Sequence, residues 1–172
     1  MRFLGLLFFA VLAAHYSYIY FRLRSAIGPG WKWTALYLVL TLFLVFGSRA
    51  LWQVDLGDHP EFRKALSYVV YMGLAFFFIL FTAFVVLDLA RFLAWLSDTL
   101  FSTGLRGLLP SPKARAWAAV CFTFLACGYG WFEALNVQTR YVTIETERLP
   151  AGTDRVRIAQ ISDVHLGWII QE

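Results

Sequence analysis

Residues 65–87 read ALSYVVYMGLAFFFILFTAFVVL, a run with no charged side chain. As a helix rising 1.5 Å per residue it is about 35 Å long, enough to cross a hydrocarbon core of ~30 Å. The rest of the chain has the same grain. Of its 172 residues 60% are hydrophobic and 15% charged, where soluble domains have roughly half and roughly a quarter. One small core cannot hide that excess. It falls in long blocks separated by short charged segments, which predicts an integral membrane protein whose solvent is partly lipid.

Three further blocks flank this one. FLGLLFFAVLAAHYSYIYF, 3–21, is long enough to span. Arg2 and Val11-Leu12-Ala13 allow a signal-peptide reading, but the aromatic run continues to Arg22 and favours a retained span. A second block, 33–51, follows the turn signal GPG at Gly28–Gly30. Before block 65–87 stands DHPEF, where Asp58 or His59 can cap a helix and Pro60 suits its first turn. After Leu87 the pattern turns amphipathic, with Asp88 and Arg91 spaced to pair along the helix. This stretch is expected to leave the core and lie along the interface. LLPSPKAR, with Pro110 and Pro112, then breaks the chain before a fourth block, 114–132. Trp31, Trp33, Trp52, Trp117 and Trp131 lie near block ends, as expected of residues that seat at the headgroup boundary.

The charges point to lipid. The net charge is only +4, and its cations flank apolar blocks instead of interleaving with a stacking surface, so nucleic acid is not an expected partner and the lipid bilayer is. With four spans, the side facing the two interior turns carries Arg22, Arg24, Lys32, Arg91, Arg106, Lys113 and Arg115. The other side carries Arg2, Arg49, Arg63 and Lys64 before the tail. Seven cations against four place both termini outside the cytoplasm. Cys121 and Cys127 lie six residues apart within one block, a spacing that suits small buried residues and neither a staple nor a zinc site.

Past Glu133 the character changes. VQTRYVTIETERLP is rich in β-branched residues, and PAGTD supplies turn residues before VRIAQIS. The pattern predicts two strands opening a water-soluble domain, and divides the chain into a membrane region, 1–134, and the start of a second domain, 135–172. In RIAQISDVHLG the predicted strand ends in Asp-x-His. Alternation along an extended chain puts Asp163 and His165 on one face, where a carboxylate oxygen and an imidazole nitrogen can converge on one cation. Gly167 allows a tight exit beside them.

This string, Ile161, Ser162, Asp163, His165, Leu166 and Gly167 above all, resembles the first signature of the calcineurin-like metallophosphoesterases. Following a helical membrane region, it resembles the membrane-anchored bacterial branch of that family, which implies a bacterial plasma membrane. The resemblance covers about the last thirty residues. It implies a two-metal hydrolase on a four-layered α/β sandwich, with Asp163 and His165 holding one of two divalent ions, manganese, iron or zinc. Such a pair acidifies a shared water and neutralises charge building on the phosphoryl oxygens. The family's later signatures, Gly-Asp-x-x-Asp, Gly-Asn-His-Glu/Asp and Gly-His-x-His, do not occur in these 172 residues. The expectation is therefore an inactive N-terminal fragment of a membrane-anchored phosphoesterase, whose tether favours a lipid-linked phosphoester substrate. The competing expectation is a non-enzymatic four-helix scaffold or transport component, against which the scarcity of ionisable groups in the spans argues.

Other polar residues have structural readings. His15, inside the first block, is expected to be neutral, bonded to a neighbouring helix or lying toward the interface with Tyr16, Tyr18 and Tyr20. Asp88 and Glu133 stand at span ends, within reach of headgroup water. Asp55, Asp58, His59 and Glu61 form a hydrated loop with capping residues.

Overall fold

The computed structural model describes residues 2–53, 59–136, 138–146, 149, 152–153 and 155–160. Four helices make the architecture: α1 (Arg2–Ile27), α2 (Trp31–Gln53), α3 (Pro60–Phe101) and α4 (Pro112–Leu135), with a short 3-10 turn at Leu105–Leu108 between the last two. All four are long and apolar enough to cross a membrane. Each contains the block expected of it and extends beyond it at both ends.

Local chemistry sets the ends. Gly28 takes a φ of +84°, the left-handed conformation that closes α1, and its N–H still reaches the Arg24 carbonyl at 3.0 Å. Pro60 begins α3, with Glu61 in the first turn beside the positive end of the helix dipole. His59 is the preceding residue, yet its side chain makes no capping bond. At α4 the Ser111 hydroxyl accepts the Ala114 N–H at 3.2 Å and Pro112 takes the first position.

α3 is the hub, packing against each of the other three helices and the 3-10 turn, while α2 and α4 do not touch among the described residues. The shared core comprises Ile19 of α1, Leu44 of α2, Phe77, Leu80, Ala83 and Phe84 of α3, and Ala116 and Ala119 of α4. Small residues let the backbones close in, as between helices in lipid. A β-carbon on Gly47 would lie 3.0 Å from Val70, and one on Gly73 would lie 2.5 Å from Leu44 Cδ2. Outward-facing positions are apolar as well, with Phe78 66% and Leu125 73% exposed, as suits helices solvated by hydrocarbon.

α3 continues past Leu87, where the spacing of Asp88 and Arg91 already assumed a helix, and runs unbroken to Phe101, because no glycine or proline occurs between Gly73 and Gly104. At 1.5 Å per residue α3 is about 63 Å long, twice the core thickness, so its last fourteen residues extend about 21 Å past the crossing segment 65–87. Two expectations need correction. Asp88 pairs not with Arg91 but with Arg22 and Tyr18 of α1. Finally, none of the described residues lies in a β-strand. Residues 138–146 and 155–160 are irregular, and Tyr141, Val142, Ile144 and Ile158 are all at least 80% exposed. β-branched composition favours an extended chain, but a strand also needs a neighbour to complete its ladder. Among the described residues there is none.

Candidate functional site

Asp163 and His165 lie outside the described residues, as do Ile161, Ser162, Leu166 and Gly167. Their donor chemistry, one carboxylate and one imidazole, fits a divalent manganese, iron or zinc ion and leaves other ligands to be supplied. Among the described residues no group of three or more His, Cys, Asp or Glu side chains is placed to hold a metal. Asp55 and Asp58 are also outside the described residues, and the exposed His59 and Glu61 make no such group.

The polar residues of the helices resolve into packing and pairing. His15 stacks on Phe81 of α3 with ring centroids 4.4 Å apart and meets the Tyr16 ring edge-on at 5.2 Å. It therefore packs against its neighbour and makes no hydrogen bond to it. The Tyr37 hydroxyl donates to the Tyr16 carbonyl at 2.7 Å, and Tyr20 and Thr34 share a hydrogen bond of 2.6 Å. These bonds satisfy hydroxyls that lipid would leave unpaired. They border a cavity of about 390 Å³ between α1 and α2, lined mostly by apolar and aromatic side chains, with Ser17 and Thr41 among the rest. Cys121 and Cys127 are free thiols, and Glu133 is exposed near the end of α4.

At the opposite end of the bundle from the C-terminal tail, the Asp88 carboxylate accepts the Tyr18 hydroxyl at 2.5 Å and forms an ion pair with Arg22. The Arg22 guanidinium also lies 5.3 Å from the Tyr18 ring centre. Sequence reading missed this tie between α1 and α3, though the signal was present. Arg22 directly follows block 3–21 and Asp88 directly follows block 65–87, and the first and third spans leave the membrane on the same side.

Beyond Asp88 the chain folds back on itself. Ser102, with a left-handed φ of 53°, closes α3. The Asp98 carboxylate then gathers the returning segment, accepting the Thr103 hydroxyl at 2.7 Å and the backbone N–H groups of Leu105 at 2.8 Å and Arg106 at 2.9 Å. Asp98 lies eleven residues past the crossing segment 65–87. The Thr103 hydroxyl and the Arg106 amide, more than the Leu105 and Gly104 amides, hold its carboxyl below the ordinary range. This clamp returns Arg106 toward α1. Arg22, Asp88, Arg91, Phe92, Trp95 and Arg106 together line a cavity of about 260 Å³.

No protein-family model matches this chain, and neither the curated proteins nor the solved structures include a match.

Proposed function

We propose that residues 161–167 are the first metal-binding segment of a divalent-metal-dependent phosphoesterase anchored in the membrane by α1–α4. The observation that carries this reading is the string ISDVHLG following RIAQ, which puts a carboxylate and an imidazole two residues apart. In that role Asp163 and His165 bind and orient one cation, the remaining ligands coming from residues outside these 172. When bound, the metal pair supplies an acidified water and neutralises charge on the phosphoryl group.

The membrane region supports a substrate class. Residues 136–162 connect α4 to Asp163, and a fully extended segment of that length reaches at most about 100 Å. The site is thus tethered to the bilayer, where phosphoesters linked to lipid are concentrated. The cation asymmetry of seven against four puts this domain outside the cytoplasm.

Manganese binding by membranes containing the protein, produced from its natural reading frame, tests the assignment. Electron paramagnetic resonance should show a bound fraction that weakens in both Asp163→Asn and His165→Ala. Unchanged binding in both variants removes the metal site and leaves the four helices as a scaffold.

A further inference from the structure

The cavity at the Arg22–Asp88 end is independent of the proposed hydrolytic site, since α4 carries the C-terminal tail to the other side. Three arginines line it from three chain segments: Arg22 from α1, Arg91 from α3 and Arg106 from the returning segment. One carboxylate, Asp88, opposes them, and it is already engaged by Arg22 and Tyr18. Among the described residues, the Arg91 and Arg106 side chains have no hydrogen-bond or ion-pair partner. The cavity therefore presents a formal surplus of two positive charges and two unoccupied planar forks of N–H donors. That arrangement matches the oxygens of a phosphate group better than a point charge would.

Its position just past the apolar crossing segments suits lipid phosphates. Arg22 and Asp88 are the first charged residues past their apolar blocks. Arg91 follows about 5 Å further along α3, within a headgroup layer about 5–8 Å thick, and Trp95 at about 10 Å lies past it. Phe92 and Trp95 supply an apolar wall beside the charges. The volume of about 260 Å³ greatly exceeds the ~30 Å³ that a water occupies.

We propose that this cavity is a binding site for a terminal phosphate group, presented as the monoester of a lipid headgroup or as free inorganic phosphate. Generic attraction of arginines to an anionic surface does not require convergence, and here convergence is built: the Asp98 clamp on the Leu105 and Arg106 amides fixes where Arg106 emerges. The two accounts therefore differ in sign for Asp98→Ala. Removing an acidic residue strengthens generic attraction to anions, whereas releasing the clamp weakens a built site.

The test is native mass spectrometry of the detergent-solubilised chain titrated with phosphatidate or phosphatidylglycerol of identical acyl chains. The expected result is a preference for phosphatidate that falls about tenfold in Arg91→Gln and in Arg106→Gln, the low end for a hydrogen bond to a charged group. Arg91→Lys, which keeps the charge and loses the fork, should fall part of the way. Asp98→Ala should lose preference, and Lys113→Gln, a cation on the same side that does not line the cavity, should keep it. Inorganic phosphate at millimolar concentration is the second arm: displacement of phosphatidate identifies free phosphate as a ligand, and failure to displace identifies the lipid. Equal binding of the two lipids, equal losses in Lys113→Gln, or stronger binding in Asp98→Ala overturns the proposal.

Discussion

Gly73 offers the sharpest test of the helical packing. A β-carbon there would stand 2.5 Å from Leu44 Cδ2, 3.1 Å from Cδ1 and 3.4 Å from Cγ, whereas carbons prefer separations of about 3.5–4.0 Å. Leu44 is 1% exposed, so its methyl groups have little room to retreat, and either Leu44 leaves its packed position or α2 and α3 part. Overpacking of this kind costs about 1–3 kcal/mol, and replacing a helical glycine by alanine returns up to about 1 kcal/mol. Gly73→Ala should therefore be neutral to about 2 kcal/mol destabilising. Gly128→Ala, in α4 with nothing within 4 Å of its added carbon, has only the gain. The predicted gap between the two variants is the overpacking term alone, read from reversible unfolding in mixed detergent by circular dichroism. Adding Leu44→Ala to Gly73→Ala should destabilise by less than the sum of the two single changes, because the cavity accepts the new methyl group. Equal stabilities for Gly73→Ala and Gly128→Ala, within about 0.5 kcal/mol, would refute the close approach of α2 and α3.

Further outcomes follow from the polar contacts and the tail. Asp88→Asn should destabilise the bundle by only about 1 kcal/mol in the same assay, because the Arg22 and Asp88 side chains are 40% and 26% exposed and solvent screens such a pair; a loss above 3 kcal/mol would show a buried pair. The Asp98 carboxyl is held low, so its clamp persists above its ordinary pKa of 3.8 and loosens only as pH falls further. The Leu105 and Arg106 amide resonances should accordingly titrate with midpoints below that value, and midpoints above it would contradict the hydrogen bonds. A reporter fused after Glu172 should be active outside the cytoplasm, and activity confined to the cytoplasm would reverse the topology. Residues 1–172 alone should insert into membranes and hydrolyse no phosphoester, since two donors do not complete a two-metal site.

The four helices were legible because lipid imposes a length and a composition on every crossing segment, and blocks such as 65–87 meet both without help from tertiary contacts. Prolines and glycines likewise marked the ends of α1, α3 and α4. What sequence could not reveal was partner choice. Asp88 and Arg91 have helical pairing distance in their favour, yet Arg22 competes from another helix at the same membrane level and wins with Tyr18 as a second donor. That the helix continues past Leu87 was readable from the spacing of Asp88 and Arg91, whereas its end at Phe101 was not. The expected strands in 135–160 rested on β-branched residues, and ladder partners are non-local. Of the candidate metal site, Asp163 and His165 were legible only as residue types at a spacing, while the arginine-lined cavity depends on the Asp98 clamp, a fold-back that no local pattern announces.

The proposal that Asp163 and His165 serve a metal-dependent phosphoesterase held at the membrane predicts hydrolysis of bis(p-nitrophenyl) phosphate in membranes carrying the protein from its natural reading frame, measured with and without manganese. The predicted result is manganese-dependent hydrolysis that falls in Asp163→Asn by about a hundredfold or more, the upper end of what outer-shell partners of a metal contribute, with membrane insertion unchanged. Hydrolysis absent with every divalent metal, or undiminished in Asp163→Asn, would contradict it.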